Sequence, residues 1–420
     1  MVKSLIKELD AWMVFDSRGV PSICAKAVID SHEAMAMVPS GASTGQYEAH
    51  ELRDQLAAFE GKGVDIAIQH IRTHIRTKIV GQPLDPQVLD QVMIDLDGTE
   101  SKNKLGANAI LASSMALWRL AAKQEGVSDY VYIQKHCQGE SSLPIPMINI
   151  VNGGAHATND LNIQEFMIVP HDFGDLKSAL SAASEVILRL KQHLKNTGQG
   201  LLVGDEGGFS LQGSDPARVI ALIHGLIKDA GFEGKIGVAL DLAASEYYDS
   251  KKGYCPMDRW LSPKEYVKLV SHWVHEYRLM SVEDPFADDD EVSWSTFMGM
   301  QPACHVVGDD FFVTQSKRLQ YGIDHTMANA ILIKPNQVGT VSETLDCISL
   351  AKQHGWPFII SHRSGDTEDV FIADLAVATG ALMIKTGSIA RSERVAKYNR
   401  LLEIEHGEAK KGGLRYGPKS

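Results

Sequence analysis

The chain has 420 residues, 44% hydrophobic and 22% charged, with 36 glycines and a formal charge of −12, which is ordinary for a globular protein with room for one large and one smaller domain. The longest apolar stretches, such as Ile145 to Val151, fall far short of the roughly 20 residues that span a bilayer, so no membrane span is expected. No run of Lys or Arg is long enough to follow a phosphate backbone, and the acidic balance disfavours nucleic acid. An acidic chain that acts on an anion must gather local positive charge, from metal ions or a few placed basic residues.

At the N-terminus, Lys3 and Lys7 are followed by Glu8 and Asp10 before any apolar core, so neither a secretory signal nor a transit peptide is expected. Ser22 to Asp30 and Ala34 to Val38 read as short strands, followed by the glycine-bearing stretch Pro39 to Gly45. Helical patterns cover Ala57 to Lys78 and Leu105 to Lys123, the second alanine-rich and apolar nearly all round, hence buried. This first part reads as an α+β domain, residues 1–135. From 136 to 420 apolar runs alternate with helical ones: 236–241, 279–284, 305–310, 330–334, 358–362 and 382–385. Between them fall helix candidates Pro263 to Tyr277, Val341 to His354 and Asp369 to Thr379. Such alternation argues for a parallel sheet, and at least six units favour a closed βα (TIM-like) barrel, although rhythm alone leaves an open sheet possible. Five cysteines (Cys24, Cys137, Cys255, Cys304, Cys347) are far apart with no CxxC pair, which points to free thiols in a reducing cytoplasm.

The strands end on Asp241, Glu283, Asp309, Lys334, His362 and Lys385, at intervals of 42, 26, 25, 28 and 23 residues. A barrel holds its site at the C-terminal ends of its strands, so three carboxylates, two lysines and a histidine are aimed into one mouth. Strands often end in polar residues because loops are wet, but six consecutive units ending on a chargeable residue define a site. Three carboxylates without Cys or His pairs suit Mg²⁺, the alternative being a salt-bridge network with the two lysines. A cation beside a lysine lowers its pKa, and a neutral lysine is a general base. A Lys or His base beside Mg²⁺ that stabilises an ene-diolate is the arrangement known from enolase-superfamily sites, so proton abstraction beside a carboxylate is the reaction class suggested. Three glycine-bearing turns add to this: Ser40 to Gly45, which lacks the ending of a P-loop; Asn152 to His156; and Gly204 to Gly208, with Asp205 and Glu206.

Together these segments resemble the enolases, over essentially the whole chain. The motifs that carry the resemblance include Asp16-Ser17-Arg18-Gly19, Ser40-Gly41-Ala42-Ser43-Thr44-Gly45, Asn152-Gly153-Gly154-Ala155-His156, Gln164-Glu165-Phe166-Met167 and Gly204-Asp205-Glu206-Gly207-Gly208. Further along stand Ser281-Val282-Glu283-Asp284-Pro285, Gly308-Asp309-Asp310, Lys334-Pro335-Asn336-Gln337, Ser361-His362-Arg363-Ser364-Gly365 and Ile384-Lys385-Thr386-Gly387. The resemblance implies reversible dehydration of 2-phosphoglycerate to phosphoenolpyruvate, with two Mg²⁺ per site stabilising an ene-diolate. It assigns Asp241, Glu283 and Asp309 to the first Mg²⁺ and Ser43, on a closing loop, to the second. Lys334 matches the base at C2, Lys385 the cation facing the substrate carboxylate, and Glu206 the acid at the C3 hydroxyl, with Glu165 and Gln164 beside it. His156 matches a loop histidine closing over substrate, Arg363 and Ser364 the phosphate contacts, and His362 a neighbour of the leaving group.

The family further implies a homodimer, in bacterial members often an octamer, and a secondary binding role at a cell surface can coexist with catalysis. Departures from the family pattern are Val20 after Asp16-Ser17-Arg18-Gly19, the run Phe311-Phe312-Val313-Thr314-Gln315, and Ser210-Leu211 after Phe209. None falls on a matched catalytic position. Two rivals are another superfamily enzyme acting on a different carboxylate acid, which has no need of Ser43 or the Ser361 to Ser364 segment, and a non-catalytic binding paralogue, which predicts decay at Lys334, Glu206 or Lys385.

Overall fold

The computed structural model describes residues 4–41, 45, 47–157, 159–212, 215–410 and 412–417. The first part is an antiparallel meander of β1 (Ile6–Phe15), β2 (Pro21–Ile29) and β3 (His32–Met37), with helices α1 (Pro86–Asp97), α2 (Ala107–Gln124) and α3 (Asp129–Gln134). Pro86 at the first helical position and the Asp85 carboxylate, which accepts from Val88 N–H, start α1, and Gly98 in the left-handed region stops it. The alanine-rich α2 is buried on nearly every side, as its composition predicts, and lies across β2 and β3. The helix expected from Ala57 begins later, at Asp65. Asp54 is the reason: its carboxylate accepts from the backbone N–H of Asp65 and Ile66, at 2.9 and 2.8 Å, and caps the helix there. Upstream, Phe59 and Glu60 turn left-handed and interrupt the pattern.

The second part is a closed barrel of eight strands: β4 (Ile145–Asn152), β5 (Glu165–Pro170), β6 (Ile236–Asp241), β7 (Ser281–Glu283), β8 (His305–Gly308), β9 (Ala330–Ile333), β10 (Phe358–Ser361) and β11 (Met383–Lys385). They pair in chain order, and β11 returns to β4, which settles closure over an open sheet. The strand β5 runs antiparallel to both neighbours; the remaining pairings are parallel. Outside lie α4 (Leu176–Asn196), α5 (Pro216–Asp229), α6 (Pro263–Glu276), α7 (Glu291–Gly299), α8 (Ser316–Asp324), α9 (Val341–Gln353), α10 (Phe371–Thr379) and α11 (Ser392–Ala409). Side chains alternate along a strand, so every second residue points inward. The inward set Met147, Met167, Ala239, Val307, Leu332, Ile359 and Met383 forms an apolar plug inside the barrel.

Several contacts join the parts, two of them close to the barrel mouth or to α2. Arg119 of α2 forks onto Asp369 at 2.6 and 2.8 Å and also donates to the Met35 carbonyl of β3. Ser40 and Gly365 exchange backbone hydrogen bonds at 2.7 and 3.0 Å. A Cβ on Gly365 would stand 2.2 Å from Asp16 and 2.5 Å from Arg18, so only glycine lets the small domain come this close to the barrel mouth. Among the described residues no helix is long and apolar enough to cross a membrane.

Candidate active site

The apolar plug explains where the site lies. One alternation above Met147, Ala239, Val307, Leu332, Ile359 and Met383 come Asn149, Asp241, Asp309, Lys334, Ser361 and Lys385, and Glu165 stands in the same relation to Met167 on the reversed β5. Register then sets neighbours side by side: Glu165 and Glu283 both pair with Asp241, and Lys385 pairs with Ser361. A single pocket is lined by His156, Gln164, Glu165, Glu206, Asp241, Asp309, Lys334, His362, Arg363, Ser364 and Lys385, with Glu246, Asp284 and Asp310 beside them. Of the residues expected from sequence, Glu283 stands just behind, against Lys385, and Ser43 lies outside the described residues.

Lys385 is the hub. Its Nζ reaches Asp241 at 2.8 Å, Glu283 at 2.8 and 2.9 Å and Glu165 at 3.0 Å, and all four side chains are buried. Gln164 adds a bond from its Nε2 to Asp241 at 3.0 Å. Lys334 pairs with Asp309, whose other oxygen accepts from Gln337 at 2.9 Å. Burial alone lowers a lysine pKa, but Asp309 beside Lys334, and Asp241, Glu165 and Glu283 around Lys385, outweigh it and hold both above the ordinary value. Arg363 and Lys385 push Lys334 the other way. Among the protein's own groups, therefore, the expected neutral Lys334 is opposed chiefly by Asp309.

Opposite Lys334 a second cluster forms. One carboxylate oxygen each of Glu165 and Glu206 and a ring nitrogen of His156 lie within 4.8 Å of one another. Two buried carboxylates this close do not both ionise easily. Burial and Glu206 raise Glu165 well above the usual range, with Lys385 pulling back, and its Oε2 is buried without a partner. Glu206 is better supplied: Asn149 donates to it at 3.0 Å, and His156 and His362 stand 3.4 Å away. Burial disfavours its charge, but His156, foremost, and Arg394 hold it well below the ordinary carboxylate value. Of the two, Glu165 is the one that favours its proton and Glu206 the one that favours its charge.

Arg363 reaches Glu48 of the small domain at 2.8 Å and Asn336 at 3.2 Å. Ser364 is approached by Arg18 at 3.5 Å. Sequence reasoning missed Glu48, Asn149, Gln337 and Arg394, none of which ends a strand; Glu48 and Gln337 lie within or beside quoted motifs, which was the available signal.

The donor set suits a hard divalent cation. The pocket carries seven carboxylates against three fixed cations, Lys334, Arg363 and Lys385. Burial and mutual repulsion raise Glu283 and Asp284 well above the usual range and Asp310 to about 7, the response of oxygens short of positive charge. Asp241, Glu283 and Glu165 already point oxygens at one cation, the Lys385 ammonium. Among the described residues, the carboxylates that approach one another closely around Asp309 are those of Asp284 and Asp310; Asp241 and Glu283 instead converge on Lys385, and Asp284 spends its oxygens on the backbone N–H groups of Asp309 and Asp310 at 2.8 Å.

A closed βα barrel whose strand ends gather lysines opposite paired carboxylates is an acid–base enzyme. The comparisons specify which kind. The description "Enolase, N-terminal domain" matches residues 6–133, and "Enolase, C-terminal TIM barrel domain" matches 140–416. The chain is 48% identical over 414 residues to the enolase of Elusimicrobium minutum (strain Pei191), covering 97% of both chains. It is 45% identical over 422 aligned positions to that of Helicobacter pylori (strain ATCC 700392 / 26695), covering 98% of both. The chain belongs to the enolase family.

Proposed function

We propose that Lys334 and the Glu206–Glu165 pair divide the acid–base work of the family's reaction, the reversible dehydration of 2-phosphoglycerate to phosphoenolpyruvate. The activity is that of a lyase, phosphopyruvate hydratase, a step of glycolysis and gluconeogenesis. The observation that carries the division is topological: Lys334 follows the sixth strand of the barrel and Glu165 opens the second, so base and acid face each other across the mouth. Lys334 takes the proton from C2, and the Glu206–Glu165 pair supplies one to the departing C3 hydroxyl from the other side. Lys385 offers its ammonium to the substrate carboxylate. Arg363 and Ser364 receive the phosphate, while Gln164 and His156 close on the remaining polar atoms and His362 faces the leaving group.

Asp241, Glu283 and Asp309 would hold the first of two Mg²⁺ and Ser43 the second, and the pair would supply fixed positive charge for the anion that develops at the substrate carboxylate. The surplus of carboxylates supports this reading. Positive charge added near Asp309 also weakens that residue's hold on the Lys334 proton, which a base must lose. The five unpaired cysteines support a reducing cytoplasm. Exposed Trp12, Phe15 and Met35 on the small sheet support a homo-oligomer, dimer or octamer. We place the domain boundary at 135/136, between α3 and β4.

The test is to follow the ultraviolet absorbance of phosphoenolpyruvate after adding 2-phosphoglycerate to purified protein, with Mg²⁺ and after chelation, beside Lys334→Ala. Metal-dependent signal that the variant lacks is the expected result. A flat trace from folded, metal-loaded protein overturns the reading and favours a non-catalytic paralogue or another acid substrate.

A further inference from the structure

One arginine at the site does more than add its charge beside Glu206. Arg394, in the first turn of α11, is fully buried. Its Nη1 reaches Nδ1 of His362 at 2.5 Å and the Arg363 carbonyl at 2.7 Å; its Nη2 reaches the carbonyls of Ser364 at 2.7 Å and Asp205 at 3.2 Å. Asp366 at 3.6 Å and Glu393 at 3.4 Å balance its charge. The guanidinium therefore ties together the two loops that carry Glu206 and His362, and all four Nη hydrogens are used.

A guanidinium only donates. The atom it meets on His362, Nδ1, must then be the lone-pair nitrogen, so the imidazole is neutral and carries its proton on Nε2. An imidazolium here sets N–H against N–H. Nε2 is buried, unpartnered and 3.4 Å from Oε1 of Glu206, longer than a good hydrogen bond but close enough for an oxygen arriving beside the pair to meet both. Burial, together with Arg394, Lys385 and Lys334, also keeps His362 well below the ordinary histidine range, against the pull of Glu206.

We propose that Arg394 is a positioning residue that locks His362 as the neutral Nε2–H tautomer, making it a permanent hydrogen-bond donor to the oxygen that leaves C3 and not a proton donor. This rests on the reading of Glu206 and His362 as groups at the leaving oxygen. In the dehydration the proton on the departing oxygen comes from the glutamate pair; His362 keeps its own and stabilises the charge on that oxygen as the C–O bond breaks. In hydration the same donor orients the entering water.

The test uses full-length protein labelled with ¹⁵N in its histidine rings, the His362 signals being assigned by their loss in His362→Gln. The expected spectrum shows Nδ1 unprotonated and Nε2 protonated, unchanged from neutral to mildly acidic pH. Arg394→Met is expected to lower kcat about 10- to 100-fold with KM nearly unchanged, and to let His362 exchange tautomers and titrate. Arg394→Lys, which keeps a donor for Nδ1, is expected to recover part of kcat and the wild-type tautomer. A wild-type His362 that carries a proton on Nδ1, or a folded Arg394→Met with wild-type kcat and tautomer, overturns the proposal. If Arg394→Met does not fold, the wild-type spectrum decides. A wild type that forms no phosphoenolpyruvate defeats the functional reading instead, and the spectrum still decides the tautomer.

Discussion

Lys385→Met removes the cation on which three buried carboxylates converge while keeping much of the side-chain volume. In the wild type, Nζ lies 2.8 to 3.0 Å from Asp241, Glu283 and Glu165, with these side chains no more than 3% exposed. Breaking a buried pair by removing one partner costs about 3–5 kcal/mol, because the remaining charge is left without compensation. Here three partners remain, and Glu165 and Glu283 hold protons more tightly in answer. Glu165 and Glu283 are already raised by burial and mutual repulsion, with Lys385 as the opposing influence; without it they rise further. A carboxylate whose folded pKa is raised favours the folded state below its unfolded value near 4.5, and that advantage is lost as pH rises through the folded pKa. The penalty therefore grows with pH. Urea unfolding at mildly acidic and mildly alkaline pH should show a small loss in the first and the full loss in the second. A loss under about 1 kcal/mol at alkaline pH, or one independent of pH, refutes the reasoning.

Arg119→Met cuts the buried fork onto Asp369 that joins α2 to the barrel, and should cost about 3–5 kcal/mol, read as a lower urea midpoint and faster proteolysis. Asp90, wholly buried among Trp118, Ser114 and Ser342, is pushed by burial, against those hydrogen bonds, to about 6 from 3.8. Its contribution to stability falls as pH rises from about 4 to 6, by on the order of 3 kcal/mol; Asp90→Asn should flatten the melting-temperature profile over that interval. Gly387 is left-handed, and a Cβ there stands 2.7 Å from the Glu206 carbonyl and 3.0 Å from Arg394; Gly387→Ala should lower kcat more than it lowers the melting temperature.

Much of the site is legible because of a coincidence of periods. A βα unit repeats its strand end every two dozen or so residues, and alternation within the strand decides whether that end points into the mouth. Asp241, Glu283, Asp309, Lys334 and Lys385 meet both conditions, so spacing alone singles them out. His362 lies one residue past the inward Ser361 and reaches the pocket from the loop. Arg394 satisfies neither condition: it sits on a helix, 32 residues from the imidazole it contacts. Glu48 belongs to the other domain and meets Arg363 only because Gly365 allows the two to close. The late start of the helix at Asp65 has the same character, since its cap comes from Asp54, too distant for any local capping pattern.

The central claim is that Lys334 removes the C2 proton and the glutamate pair acts at C3. Incorporation of solvent deuterium at C2 of 2-phosphoglycerate, measured by mass spectrometry alongside phosphoenolpyruvate formation, separates the two. Lys334→Ala should lose exchange and dehydration together, whereas Glu206→Gln should keep exchange while dehydration falls about 10²- to 10⁴-fold. A folded, metal-loaded Lys334→Ala that still exchanges C2 at the wild-type rate contradicts the assignment of the base.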